Sequence, residues 1–134
     1  MTGVFEVGTV VAFEAFHVIP GAEGPEGKLH SHRYRVEAVA ARTGLDDHGM
    51  VVDLDVLTDA VRGIAQEAAA KDLQELVHPP FEAGVTVEIF ARWWHERLSA
   101  ALAATVPDRI AVRVWESSDS FGGYAGPPAA PPFT

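Results

Sequence analysis

The stretch Leu29-His30-Ser31-His32-Arg33-Tyr34-Arg35-Val36-Glu37-Ala38-Val39-Ala40 sorts its side chains into two sets. His30, His32, Tyr34, Val36, Ala38 and Ala40 fall on one side; Ser31, Arg33, Arg35 and Glu37 fall on the other. That two-residue period is the signature of a strand with one face buried, and it runs from Leu29 to about Arg42. Upstream, Val4 to Phe16 is rich in β-branched and aromatic residues and reads as a second long strand. There Phe5, Val7, Thr9, Val11, Phe13, Ala15 and His17 share a face. Between the two strands, Pro20, Gly21, Gly24, Pro25 and Gly27 mark a loop. A hairpin built this way lays the end of the first strand beside the start of the second, so His17 meets His30 and His32.

The remaining elements follow in order. Thr43 to Gly49 reads as a polar turn, and Asp53 and Asp55 suit a helix N-terminus by capping and by the dipole. Leu57, Val61, Ile64, Ala68 and Leu76 mark the apolar side of one helix running to about Val77, stopped by His78, Pro79 and Pro80. Thr86 is the expected N-cap of a second helix, with Val87, Phe90, Ala91, Trp94, Leu98, Ala101 and Leu102 on its apolar side. His95 falls on the polar side with Arg92, Glu96 and Ser99 and reads as a surface residue. Pro107 and Asp108 end the helix. Arg109 to Glu116 alternates as a strand with Ile110, Val112, Val114 and Glu116 facing one way, and a further short strand is expected near Phe121. Spacing accounts for Trp93, Trp94 and Trp115 as core. The expected fold class is α+β, in one domain over residues 1–124, followed by a Pro/Ala-rich tail, 125–134, expected to be mobile or to lie across a neighbour.

Bulk composition narrows the function classes. At 134 residues and 48% hydrophobic, the chain has the size of one ordinary domain. No run approaches the roughly 18 apolar residues a membrane helix needs, so no membrane association is expected. With 19 acidic against 10 basic residues the formal charge is −9, which opposes binding to phosphate backbones, and no nucleic-acid partner is expected. A small anionic substrate would need a local basic pocket. There is no cysteine, hence no disulfide, thiolate ligand or cysteine nucleophile. Met1 to Phe5 lacks a basic stretch leading into an apolar core, so no secretory leader is expected and a cytoplasmic home fits.

The histidines carry the chemistry. Three imidazoles converging at one end of an apolar sheet face offer three nitrogens and leave a fourth position open, the usual arrangement of catalytic zinc. A lone core histidine is more often a hydrogen-bonded packing residue, but three together serve little packing purpose. His48 and His78 have no such partners.

With these residues placed, the sequence resembles a known family. Phe13-Glu14-Ala15-Phe16-His17, Leu29-His30-Ser31-His32, Gly49-Met50-Val51-Val52-Asp53-Leu54, Thr86-Val87-Glu88 and Trp115-Glu116-Ser117 are similar to the successive signatures of 6-pyruvoyltetrahydropterin and 6-carboxytetrahydropterin synthases. The resemblance implies the tunnelling fold, an antiparallel four-stranded sheet with two helices on one face that assembles into a barrel. It implies a homo-oligomer, trimer or hexamer, with interfacial active sites. It also implies Zn2+ on His17, His30 and His32, with Glu116 anchoring a pterin ring and Thr86 contacting substrate. A carboxylate at Glu116 suits that role, because it can accept two N–H bonds from an aminopyrimidine edge.

Two positions depart from the family pattern. Where the family has a cysteine, this chain has Glu26, within Glu26-Gly27-Lys28-Leu29-His30-Ser31-His32. Relatives with glutamate there cleave the side chain of dihydroneopterin triphosphate in a retro-aldol-like step. Glu26 therefore reads either as a catalytic base or as a solvated loop carboxylate. The family's Asp-His relay is matched by Asp72 and Leu73, so Asp72, expected on the inward side of the first helix, is either a relay member or a charge near a helix end. His78 is a candidate for the missing imidazole. The function expected is a zinc-dependent lyase acting on dihydroneopterin triphosphate or a related pterin. Two alternatives stand: zinc-assisted carbon–carbon bond or ring formation on a non-pterin carbonyl or amine in secondary metabolism, and a non-catalytic pterin or zinc binder.

Overall fold

The computed structural model of the protein describes residues 3–79 and 84–130. Pro80, part of the expected helix stop, and residues 131–134 of the expected tail lie outside them. Four strands, β1 (Phe5–His17), β2 (His30–Arg42), β3 (Arg109–Trp115) and β4 (Phe121–Gly126), form one antiparallel sheet in the order β1-β2-β3-β4. Helices α1 (Leu54–Ala68), α2 (Leu73–Val77) and α3 (Val87–Ala101) fill the connection between β2 and β3. Among the described residues no helix is long and apolar enough to cross a membrane.

The β1–β2 register is unbroken from Phe5↔Arg42 to His17↔His30, through Phe13↔Tyr34 and Ala15↔His32. This is the hairpin that alternation dictates, because any one-residue slip would send the apolar set to the other face. Phe13, Ala15, Tyr34, Val36, Ala38 and Ala40 are buried there, joined by Ile110, Val112 and Val114 from β3. Onto this face α1 places Leu57, Val61, Ile64 and Ala68, and α3 places Phe90, Ala91, Trp94 and Leu98. Trp94 is fully buried with its ring 6.0 Å from that of Phe13. Truncating it to alanine removes an aromatic worth roughly 3–5 kcal/mol in such a core.

Four sequence expectations are corrected. The single helix to Val77 is two: α1 ends at Ala68, and the chain then turns through Ala70 at φ 60° to run beside β1. There Ala70 N–H donates to Glu14 O at 2.7 Å and Phe16 N–H to Lys71 O at 2.9 Å. The end of β1 is a sheet edge with unpaired backbone groups, and meeting them outweighs continuing the helix. Asp72 consequently lies not on an inward helix face but at the N-cap of α2, where its carboxylate accepts the Gln74 N–H at 3.0 Å.

His95, expected at the surface, is 2% exposed. Its Nε2–H donates to Gly126 O at 3.2 Å, and its ring lies 4.9 Å from that of Tyr124. β4 covers the flank of α3 that the helical period alone leaves open to solvent. Trp115, expected in the core, lies on the opposite sheet face from Val114. It packs against Phe121 at 4.6 Å, with the Arg35 guanidinium over its ring at 5.5 Å. Beyond β4 the chain continues along α3, where Ala129 N–H donates to Ser99 Oγ at 2.8 Å.

Candidate metal centre

The hairpin register sets the three imidazoles at one corner of the sheet, His17 closing β1 against the opening residues of β2. Their ring centroids are 4.5 Å (His17–His30), 4.8 Å (His17–His32) and 4.9 Å (His30–His32) apart. One nitrogen from each lies within 4.8 Å of the others, a spacing at which the three could hold a metal ion. Tyr34, 1% exposed, forms the floor, its ring 5.8 Å from His32 and 6.2 Å from His17.

Backbone carbonyls orient two of the rings. His17 Nδ1 lies 3.0 Å from Val85 O, and His30 Nδ1 lies 2.7 Å from Lys28 O. A carbonyl only accepts, so both Nδ1 atoms carry a proton, and each ring in its neutral form presents a bare Nε2 lone pair. His17 Nε2 is buried with no partner among the described residues, and His30 Nε2 lies 3.1 Å from His32 Nε2. Such a buried lone pair is costly unless a donor or a cation meets it. Metal-bound histidines characteristically give their second N–H to a carbonyl in this way, so the residues present fit a divalent ion. Burial, with the neighbouring imidazoles adding to it, holds the His32 pKa below the usual histidine value, while Glu116 and Glu26 pull in the opposite direction. Burial raises the Tyr34 pKa, and Glu116 adds to that effect.

Position 84 is held to glycine by close approach. A Cβ there would lie 2.4 Å from Val18 O, so the segment can pass close enough for Val85 to reach His17 only without a side chain.

The imidazoles open into a cavity of about 190 Å³ whose wall includes Glu26, Thr86, Glu88 and Glu116. Glu26 comes from a short 3₁₀ turn, Gly24–Gly27, tied back by the Ile19 N–H donating to Glu26 O at 2.8 Å. Glu116 follows β3 directly. Thr86 lines the cavity while its Oγ1 accepts the Ile89 N–H at 3.2 Å, so its oxygen serves the helix cap. Glu88, in the first turn of α3, was not singled out by sequence reasoning. The signal was available, since a residue two past the N-cap faces the same end of the helix as the cap. Asp72 is not brought into the cavity. His78 caps the end of α2 at φ 51° and lines a separate small depression with Arg92, Trp93 and Glu96. A larger hollow of about 320 Å³ between the end of α3 and residues 128–130 is mostly apolar and gathers no such donors.

Known proteins share this architecture. A sequence profile of the 6-pyruvoyl tetrahydropterin synthase family matches residues 6–127. The chain is 37% identical over 57 residues to a 6-carboxy-5,6,7,8-tetrahydropterin synthase from Rickettsia bellii (strain RML369-C), a match covering 42% of this chain and 41% of that one. The similarity thus spans about two fifths of the curated relative's length. The 6-pyruvoyl tetrahydropterin synthase structure from Plasmodium falciparum superposes with a TM-score of 0.71 at 14% identity, covering 92% of this chain and 98% of that one. The Caenorhabditis elegans structure gives 0.71 at 18% identity, covering 93% and 97%. A Plasmodium vivax structure in which a glutamate described as catalytic is replaced by alanine gives 0.72 at 13% identity, covering 93% and 99%. At these identities the structures establish the shared tunnelling fold. Taken with the profile match across nearly the whole chain, they place this protein in the 6-pyruvoyl tetrahydropterin synthase family.

Proposed function

We propose that the protein is a zinc-dependent lyase that cleaves the side chain of a dihydroneopterin-type substrate, dihydroneopterin triphosphate or a related pterin. The observation that carries this reading is the meeting of Glu26 and Glu116 with the histidine triad in one cavity. Zn2+, held by His17, His30 and His32, would supply polarisation of a side-chain oxygen. The chain's own groups do the rest. Glu116 accepts N–H bonds from the aminopyrimidine edge and fixes the ring. Glu26 takes the proton from the hydroxyl on the second side-chain carbon. The bond between the first and second carbons then breaks, the second becoming an aldehyde, and a proton returned to the first leaves a hydroxymethyl group. Asp72 caps α2 beside Phe16 and does not line this cavity, so the scheme gives it no step.

The test is incubation of zinc-loaded protein with dihydroneopterin and with its triphosphate, followed by product analysis. Release of a hydroxymethyl pterin, reduced by about 10²–10⁴-fold in Glu26→Gln, is the expected outcome. A Glu26→Gln variant that turns over at the parent rate would sink the role given to Glu26. The same reading implies a homo-oligomer, a trimer or hexamer. The outer edge of β4, and that of β1 ahead of Glu14, could pair with another copy.

A further inference from the structure

β4 is weakly held by its own side chains. Three of its six residues are glycine, and none of the six is buried. It nevertheless keeps its place along α3. Gly122 lies so close to the start of the helix that a Cβ there would meet Val87 Cγ2 at 2.5 Å, and further along His95 Nε2–H donates to Gly126 O. The chain beyond β4 then advances towards the end of α3, where Ala129 N–H reaches Ser99 Oγ, one turn past His95. There it borders the hollow of about 320 Å³. One wall of this hollow is long, running from Ser99 through Leu102 and Ala103 to Val106; the opposing wall stops at Ala130. Val106 is both strained and uncovered, a β-branched residue at φ 37° and 63% exposed.

We propose that Phe133 of the same chain seats in this hollow and latches the tail, and with it β4, to the end of α3. Pro131-Pro132-Phe133 follows Ala130 directly. Two prolines offer no N–H for a backbone tie and favour an extended path of about 3.1 Å per residue, which carries position 133 roughly 9 Å past Ala130. The tail already runs towards Val106, and the helical turns from Ser99 to Val106 advance about 10 Å, so the ring meets the uncovered half of the hollow beside Ala103 and Val106. The space suffices, since a cavity of about 150 Å³ already holds benzene. The latch is separate from the chemistry of the metal centre, yet β4 connects the two, because Gly122 backs the turn of α3 that bears Glu88.

Methyl NMR of the full chain is the experiment, with Phe133→Ala as a variant that leaves the core described above untouched. The ring current of a seated Phe133 should shift the Val106 methyls of the parent chain. Phe133→Ala should abolish that shift and speed exchange of the Ala129 amide about tenfold or more. Ala103→Lys, a change at an exposed position lining the hollow, should reproduce both effects, and the double variant should add little to either. Val106 methyls that are alike in the parent and in Phe133→Ala overturn the latch. So does recovery of the shift when labelled Phe133→Ala chains are refolded with unlabelled parent chains, because the ring then comes from a neighbouring copy.

Discussion

His17, His30 and His32 differ in what surrounds them, and the difference sets what each can be asked to do. His17 is buried under the core, so replacing it disturbs packing as well as ligation. His30 is partly open, and its Nδ1 bond is local, to Lys28 O two residues away. His30→Ala should therefore abolish stoichiometric zinc binding while shifting apo-protein stability by less than about 1 kcal/mol, read by metal analysis alongside thermal unfolding. The pH dependence follows from the same rings. A metal takes only neutral imidazole, so zinc affinity should fall in acid, as seen by chelator competition across a pH series. His32 has its folded pKa lowered, so below the ordinary histidine value the unfolded chain binds more protons than the folded one. Its contribution to apo stability is accordingly present above that value and lost as pH falls toward the folded pKa. Unfolding followed across that range should show the decline. At this scale the sequence was most legible where the period is two. Alternation puts His30 and His32 on one face without any structure, and Glu116 on the face of Val114. His95 was illegible because its burial comes from β4, some thirty residues away, rather than from its own helix.

The break between α1 and α2 shows why element boundaries resist sequence reading. The apolar period runs on through Ala68 to Leu76, and nothing in it marks that Ala70 leaves the helix. What ends α1 is the need of Glu14 and Phe16 on β1 for backbone partners, a contact between segments more than fifty residues apart. Asp72 then starts the next turn. Asp72→Ala should cost roughly 0.5–2 kcal/mol, the usual loss for an N-cap, measured by denaturant unfolding. Zinc stoichiometry should stay unchanged in the same variant. Gly84→Ala should behave oppositely in kind. Its Cβ would press on Val18 O, backbone against backbone, and push Val85 O away from His17. We expect weakened zinc binding there in a protein that still folds, seen by competition with a chelator; unchanged affinity would show that Val85 does not hold the ring.

Across the whole molecule, the order of elements and the hairpin were readable from patterns repeated over many residues, whereas the four-stranded sheet with helices on one face was implied by the family resemblance. Trp115 was assigned to the core by spacing, yet strand alternation with buried Val114 puts it on the other face. The oligomer is the prediction belonging to this scale. Light scattering should find a mass several times the 14.4 kDa of one chain if the open edges of β1 and β4 pair between copies. A monomer at micromolar concentration would remove the interfacial part of the proposal. The hairpin carries a last consequence, for how such a protein can change over time. All three imidazoles come from β1 and β2, whereas the carboxylates come from a loop, the start of α3 and the residue after β3. The proposed ligand set and the proposed recognition set are thus separately mutable. A lineage could exchange one glutamate at a time, and so its reaction, while inheriting the hairpin intact.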